Sequence, residues 1–446
     1  MNRQRVRAPP MGKGSGTVVT ASTHALETSE IPGHGLSDIA SALIVFSHLR
    51  WSGVYQRPQH LLSRFAKHIP VIVIEEPVLL SNSNEKPSFR ETSDGNVTVL
   101  TPLLPDSSTS QFGFCKETNR IISRLIEERF PRSSWWGGQR FGSGSAHSHK
   151  PVVWYYTPMA LGALPGSIDP GLVVLDAMDD LASFRNAPRE LRDQEEAMLR
   201  TADVIFAGGP SLYEARRHRH PSVHCFPSGV DARHFATGAE SMAPAADIAA
   251  LPGPVLGFHG VLDERIDFDL IAKVADSRPN WSLALVGPLA KIEESDLPRR
   301  PNISYLGRQQ YADLPSFLAG FDVAILPFAL NEATRSISPT KTLEYLAAEK
   351  PVVSTAIADV VSLYGNVVRI ASDPADFITA VEAALAESGG DRRRRHARAQ
   401  AHLLEHDWDA IADGMADRMI ETVTARSEIL NRPPASEAWE MGNNHV

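Results

Sequence analysis

Short apolar segments of strand length alternate with amphipathic segments along most of this chain. Residues 42–46 and 71–74 are apolar throughout, and residues 56–68 between them place Leu61 and Phe65 on one helical face. A strand, a helix and a strand within about 30 residues form a βαβ unit, whose two strands lie parallel. Strands that are apolar on both faces belong to sheets covered on both faces. The pattern therefore predicts an α/β protein with doubly wound parallel sheets.

The alternation stops near the middle of the chain and then begins again. Residues 236–254 are rich in Ala, Pro, Ser and Gly, and the next strand is predicted at residues 255–258. The predicted organisation is a disordered tail over residues 1–40, a first Rossmann-like domain over 41–235, a linker over 236–254, a second Rossmann-like domain over 255–405, a crossover helix over 406–430 and a loose tail over 431–446. Ligands bind beyond the carboxyl ends of the strands in such sheets, so the cleft between the domains is the predicted site.

The composition argues against several classes of function. The 446 residues carry 44 Lys and Arg against 53 Asp and Glu, and this net charge of −9 does not favour a nucleic-acid partner. Cys115 and Cys225 lack the spacing of a disulfide framework or a zinc site, so we expect no metal and a reducing, cytoplasmic environment. No apolar run approaches the roughly 18 residues of a membrane span, and we expect no signal peptide.

A polar loop and the helix after it form the strongest candidate site. The predicted strand 323–326 runs into this loop, and a helix is predicted from Pro339. The free N–H groups and the dipole of a helix N-terminus attract anions, and Arg335 and Lys341 add full positive charges. This combination suits a diphosphate, and Glu344 can accept hydrogen bonds from ribose hydroxyls. The alternative is an ordinary helix terminus with solvated basic residues.

Two further candidates lie in the first half of the chain. A strand runs into residues 47–53 and a helix begins near Arg57, so this is a second strand–loop–helix anion site, with Arg57 and His60 as candidate substrate contacts at the cleft. Asp179 belongs to a group of aspartates that ends a buried strand, where a carboxylate can orient an acceptor hydroxyl or act as a base. The alternatives stay open that Trp51 packs and His60 packs or caps a helix, and that the aspartates cap the helix ahead of Leu181.

Several segments together resemble one family of enzymes. Residues 339–353 read PTKTLEYLAAEKPVV, residues 56–61 read QRPQHL, residues 174–180 read VLDAMDD and residues 227–231 read PSGVD. In this order and spacing they resemble retaining GT-B glycosyltransferases of the family 1/family 4 type, closest to bacterial surface-polysaccharide enzymes. The resemblance implies the GT-B fold, which has two Rossmann-like doubly wound domains, an interdomain cleft and a C-terminal crossover helix.

The resemblance also implies an activity. A sugar would move, with retention, from a nucleoside-diphosphate sugar on the second domain to a saccharide or lipid-linked acceptor on the first, in exopolysaccharide or cell-surface glycan synthesis. No cofactor is implied beyond this donor, and no metal is required, because basic side chains stabilise the leaving diphosphate.

Roles for individual residues follow from the same resemblance and from the candidates above. The predicted catalytic residues are Arg335, Lys341 and Asp179, and Glu344 would hold the donor ribose. Gly260 would let the backbone approach the phosphates. The remaining predicted substrate-binding residues are Arg265, Arg308, Pro288, Ser336, Ser338, Thr340, Arg57 and His60, of which Arg308 and Pro288 would line the base pocket.

One position departs from the family pattern and keeps other functions open. Family members carry a glutamate eight residues before the ribose-binding one, in contact with the transferred sugar, and Ser336 stands there instead. The alternatives are a sugar-nucleotide epimerase of the same fold and a catalytically silent module that binds nucleotide sugars or saccharides.

The arginines of residues 392–398 are predicted to form a solvated helix face, with peripheral contact to anionic lipid at the inner face of the plasma membrane as the alternative.

Overall fold

The structure is a computed structural model that describes residues 35–81, 85–106, 113–131, 150–184, 187–236 and 242–430. Within these residues the chain builds two predominantly parallel sheets in succession, and helices pack against each of them. The predicted class, two Rossmann-like α/β domains followed by a C-terminal helix, is confirmed.

In the described residues the first sheet has nine strands, and one of them is antiparallel to its neighbour. The strands are β1 (Leu43–Ser47), β2 (Val71–Glu75), β3 (Val78–Leu80), β4 (Ser88–Asp94), β5 (Val97–Pro105), β6 (Val152–Tyr155), β7 (Leu172–Ala177), β8 (Val204–Ala207) and β9 (Val223–Cys225). Their order is β3-β5-β2-β1-β6-β7-β8-β9, with β4 paired antiparallel to β5. The order reverses at β1 and β6, which places a topological switch point at their carboxyl ends.

Helices cover both faces of this sheet. Those of the described residues are α1 (Arg57–Phe65), α2 (Lys116–Arg129), α3 (Leu191–Thr201) and α4 (Pro210–Arg216). One face buries Ile122 and Ile126 of α2 with Met198 of α3, and the opposite face buries Leu61 and Phe65 of α1. The apolar residues that define the helical periodicity in the sequence are therefore the ones that cover the sheet.

The second sheet is parallel throughout and has a switch point of its own. Its strands are β10 (Val255–His259), β11 (Ser282–Val286), β12 (Ile303–Tyr305), β13 (Val323–Leu326), β14 (Val352–Thr355) and β15 (Arg369–Ala371), in the order β12-β11-β10-β13-β14-β15. The connecting helices are α5 (Ala232–Ala236), α6 (Ala246–Ala249), α7 (Phe268–Ser277), α8 (Leu314–Ala319), α9 (Lys341–Ala347), α10 (Ala358–Tyr364), α11 (Pro374–Leu385) and α12 (Gly389–Glu405). The reversal between β10 and β13 marks where a ligand is expected.

The chain then returns to the first domain through α13 (Trp408–Leu430). Trp408, Met415 and Met419 are at most 1% exposed and share a core with Phe65 and Trp154 of the first domain. The domains are therefore joined at two points, before the second sheet and after it. Among the helices described, none combines the length and the apolar character needed to cross a membrane.

The ordered first domain begins earlier than the sequence predicts. Gly35–Asp38 forms a 3-10 helix, and Leu36 is 1% exposed in the core shared with α13. The prediction of disorder is wrong for residues 35–40, because one buried leucine in a polar segment gives no periodic signal. Residues 1–34 and 431–446, which are predicted as tails, lie outside the described residues.

Two further differences between the sequence prediction and the structure concern polar segments. β4 is largely exposed along its length, so it lacks the apolar run by which the other strands are recognised. The arginine-rich segment forms α12, but its Arg395 is 8% exposed and pairs with Glu387 at 3.0 Å. The prediction of a solvated face is wrong for Arg395, because this side chain anchors α12 to the domain.

Candidate active site

Two glycines at the ends of β10 and β11 allow three chain segments to meet. Gly260 and Gly287 have φ angles of +143° and +151°, which favour glycine. A Cβ on Gly287 would lie 1.8 Å from the Gly260 carbonyl oxygen, and a Cβ on Gly260 would lie 2.9 Å from Lys341 Cε. The glycines therefore let the Lys341 side chain pass directly over the end of β10.

Glu344 lies one turn after Lys341 on α9 and contacts the end of the same strand. Its Oε2 atom is 3.0 Å from Nε2 of His259, and among the described residues neither of these two buried atoms has a hydrogen-bond partner. Burial acts to raise the pKa of Glu344, but His259 and Lys341 together hold it below its usual range. The pKa of Lys341 is lowered by burial, which Glu344 partly offsets. An ionised carboxylate and a buried amine thus lie side by side, with polar atoms available to a ligand.

Charges from both domains converge on this pair. In the loop after β10, Arg265 donates to both carboxylate oxygens of Asp263 at 2.7–3.1 Å. Asp179, which follows β7 of the first domain, is near enough to this loop to interact electrostatically with Arg265 and Asp263. Burial raises the pKa of Asp179, and the nearby Arg265 and Lys341 act in the opposite direction. The structure therefore brings the predicted residues Asp179, Arg265, Lys341 and Glu344 together across the cleft.

Lys291 is a further cation of the cleft. Its Nζ atom lies 4.0 Å from the ring centre of Phe184 in the first domain and 3.7 Å from Glu264 Oε1. Both carboxylate oxygens of Glu264 are buried and accept no hydrogen bond from the described residues. His48, after β1, has its pKa lowered to about 4 by burial and secondarily by Lys291. A neutral imidazole and a carboxylate without hydrogen-bond partners therefore face the same space.

His60 belongs to an aromatic cluster where the two domains and α13 meet. Its ring stacks on Trp408 with centroids 4.7 Å apart, and it meets Tyr55 and Tyr311 edge-on at 4.7 and 5.6 Å. Burial lowers the pKa of His60 to about 3, and Glu344 acts in the opposite direction. His60 is thus neutral near neutral pH and lies close enough to Glu344 to sense its charge.

Arg57 has its partners inside the first domain. The residue is 1% exposed, donates to both oxygens of Asp176 at 2.9–3.1 Å, and donates to the carbonyl of Phe226 at 2.9 Å. Because these acceptors occupy its guanidinium, Arg57 is held inside the first domain and does not point into the cleft as the predicted substrate contact requires.

Two predicted basic residues lie at the rim of the cleft. The Arg335 side chain is 73% exposed, with Glu332 as an ion-pair partner at 3.7 Å. Arg308 donates to the carbonyls of Ser52 and Gly53 at 2.9 and 2.8 Å. Arg335 is therefore not part of the buried cluster, and Arg308 connects the second domain to the loop after β1.

The remaining predicted positions surround α9 and the end of β11. The carbonyl of Pro288 accepts a backbone hydrogen bond at 2.9 Å from the loop after β10. Thr340 Oγ1 is 3.4 Å from the ammonium of the next residue, and Ser336 is half-buried in the loop before α9. Ser338 lies against Gly209 of the first domain, where an added Cβ would come within 2.9 Å of it.

His259, Asp263 and Lys291 are absent from the sequence prediction, although His259 ends β10 and the other two lie in the loops after β10 and β11. Their position at a carboxyl strand end is the signal that could have identified them. Within the described part of the chain, no group of three or more His, Cys, Asp or Glu residues has the arrangement of a metal site.

Comparison with known proteins identifies part of the chain by sequence. The family model described as glycosyl transferases group 1 matches residues 253–387. A putative teichuronic acid biosynthesis glycosyltransferase of Bacillus subtilis is 28% identical over 246 residues, which make up 52% of this chain and 59% of that protein. The match thus spans less than two thirds of the curated relative.

Solved structures match nearly the whole fold. One is described as trehalose-6-phosphate from E. coli bound with UDP-2-fluoro glucose; it has a TM-score of 0.62 and 13% identity, and the match covers 85% of this chain and 99% of that one. Sucrose-phosphate synthase from Thermosynechococcus elongatus gives a TM-score of 0.58 and 15% identity, over 86% of this chain and 100% of that one. At such identities the likeness concerns the fold. The chain has the two-domain GT-B fold, and its residues 253–387 match the family of glycosyl transferases group 1.

Proposed function

We propose that this chain is a glycosyltransferase that takes a sugar from a nucleoside-diphosphate donor. The observation that carries the proposal is the charge cluster of the cleft, in which Lys341, Glu344 and Arg265 of the group 1 domain lie opposite Asp179 of the first domain. A diphosphate requires cations and a ribose requires hydrogen-bond acceptors, and this cluster offers both at a switch point of the fold.

Lys341 and Arg265 are proposed to hold the donor diphosphate. Negative charge grows on the leaving diphosphate as its bond to the sugar breaks, and cations fixed in advance stabilise that charge. The buried Lys341 gains an anionic partner when phosphate enters, which favours its charged form. Arg335 at the exposed rim is proposed as a further phosphate contact, and Gly260 lets the backbone approach.

Glu344 is proposed to bind the donor ribose. Its carboxylate is ionised, and its Oε2 atom makes no hydrogen bond in the structure. Ribose hydroxyls are donors that satisfy such an oxygen, and a buried acceptor left without one is unfavourable. This explains why a carboxylate stands beside the cations of the cleft.

Asp179 is proposed to orient the acceptor hydroxyl or to receive its proton. The raised pKa of Asp179 brings it closer to the working pH, where a carboxylate is a more effective base. Since Asp179 belongs to the first domain and Lys341 to the second, closure of the cleft would bring acceptor and donor together.

The finer assignment rests on the relative and on the motifs. Because the Bacillus subtilis protein is named for teichuronic acid biosynthesis, we propose a saccharide or lipid-linked acceptor of cell-surface polysaccharide synthesis. Retention at the transferred sugar is proposed from the resemblance of residues 339–353. A cytoplasmic location with peripheral membrane contact is part of the same proposal.

Thermal-shift measurements with UDP-, GDP-, ADP- and dTDP-glucose test the donor. A ligand present at about 100 times its Kd stabilises the folded state by about 2.7 kcal/mol, so one nucleotide class should raise the Tm. Lys341→Met should abolish the shift. Arg278→Gln, which removes an exposed ion pair with Glu382, is the matched control and should preserve it. Stabilisation by none of the four sugars would contradict the proposal.

Product analysis then separates the alternatives. A transferase releases free nucleoside diphosphate when an acceptor pool is added. Isomerised donor in the absence of acceptor would instead indicate an epimerase, and binding without release would indicate a silent module.

A further inference from the structure

A groove of about 720 Å³ lies on the first domain, outside the charge cluster of the cleft. Its walls are the first half of α2, the 3-10 helix Pro158–Ala163 and the start of α3. The lining residues include Lys116, Asn119, Arg120, Arg124, Met159 and Glu190.

The groove opens at the same edge of the sheet as the cleft. α2 follows β5, the 3-10 helix follows β6, and α3 follows β7, so all three walls begin at carboxyl ends of parallel strands. A narrower pocket shares Pro158 with the 3-10 wall and is bordered by Leu191 of α3 and by Asp179. The groove and this pocket therefore adjoin the same two elements, the 3-10 helix and α3, and Asp179 borders the pocket.

The α2 wall is basic. Arg120 and Arg124 are four residues apart, so they project from one face of the helix, and Lys116 continues that row. All three are exposed, and the described residues provide no salt bridge to any of them. Glu117 lies on the same wall near Lys116 and Arg120, and Glu190 lies on the facing wall, so the α2 wall carries three cations against one carboxylate.

Asn119 adds a buried polar atom to the groove. The residue is 6% exposed, and its Nδ2 donates to the carbonyl of Met159 at 2.8 Å. None of the described residues donates a hydrogen bond to its Oδ1 atom. A buried amide oxygen in the wall of a groove is satisfied when a hydroxyl or amide of a ligand donates to it.

We propose that this groove binds an anionic saccharide, namely the part of the acceptor chain that lies outside the cleft. Arg120 and Arg124 would contact its carboxylate or phosphate groups, and Asn119 would accept from a neighbouring hydroxyl. The assignment of this saccharide as the acceptor rests on the proposed function, whereas the binding of an anionic saccharide to the groove does not.

Calorimetric titration with two tetrasaccharides tests the groove. The full chain should bind a hyaluronan tetrasaccharide, which carries carboxylates, and should bind neutral maltotetraose at least tenfold more weakly. The double variant Arg120→Gln/Arg124→Gln should lose at least tenfold in affinity for hyaluronan, with an unchanged Tm because both residues are exposed.

Arg129→Gln is the matched control, because Arg129 lies on the same helix but pairs with Glu91 and does not line the groove. It should bind hyaluronan like the wild type. The proposal is overturned if the wild type does not bind hyaluronan, if maltotetraose binds equally well, or if the double variant and Arg129→Gln behave alike. The nucleotide-sugar thermal shift in the same variants reports on the proposed function separately.

Discussion

Replacing Asp176 with asparagine leaves the Arg57 guanidinium charged inside the first domain. The two side chains are 1% and 0% exposed and lie 2.9 Å apart. Removing one partner of a buried ion pair costs about 3–5 kcal/mol, because the other charge stays buried without compensation. A domain has about 5–15 kcal/mol of stability in total. At about 2–4 °C per kcal/mol, the Tm should fall by roughly 10 °C.

Urea denaturation followed by tryptophan fluorescence measures this loss. The control is Glu91→Gln, since Glu91 and Arg129 form a pair at 3.3 Å in the same domain whose side chains are 42% and 48% exposed. Exposed pairs contribute about 0–1 kcal/mol, so this variant should be close to wild type. The double variant Arg57→Met/Asp176→Leu should regain most of the lost stability, because it removes both charges. If Asp176→Asn and Glu91→Gln are equally mild, the reasoning about burial is refuted.

Three further predictions concern pH and the contacts between domains. Burial raises the pKa of Glu76 to about 7, so this carboxyl binds a proton more tightly in the native protein than in the unfolded chain. The free energy of unfolding should therefore fall as the pH rises from about 4.5 through 7. Glu76→Gln should flatten that part of a plot of Tm against pH. Ser211→Ala should destabilise the protein by about 1–3 kcal/mol in urea denaturation, because the buried Asp359 of the second domain loses the hydroxyl and keeps only the backbone N–H of residue 211. Arg308→Ala should change the free energy of unfolding by less than about 1 kcal/mol, since the contact is exposed. Limited proteolysis should nevertheless cut the loop after β1 faster in this variant than in the wild type.

The fold was predictable because its strands are apolar on both faces. β13 occurs with the predicted bounds, since it is a short apolar run that needs no tertiary information to be recognised. β4 is polar, and it exists because β5 offers it a hydrogen-bonding edge over seven residue pairs. That partnership is a property of the assembled sheet, so the segment alone does not reveal it.

The site was predictable in part for a similar reason. Lys341 and Glu344 stand in a recognisable strand–loop–helix segment, and the structure places both at the end of β10. Arg57 stands in an equally suggestive segment, but its partner Asp176 is 119 positions away, and burial decides between ligand contact and packing. Lys291 approaches the cleft through a loop with a positive φ of 62°, a path that residue order alone does not indicate.

Titration of the nucleoside diphosphate selected by the thermal-shift panel tests the central claim most directly. Wild type and Glu344→Gln are each titrated with that diphosphate and with inorganic pyrophosphate. Hydrogen bonds to a charged group contribute about 1.5–3 kcal/mol, so Glu344→Gln should bind the nucleotide at least tenfold more weakly. It should bind pyrophosphate like the wild type, because Lys341 and Arg265 are unchanged. Equal affinity of both proteins for the nucleotide would contradict the assignment of Glu344 to the ribose and, with it, the donor site described for this cleft.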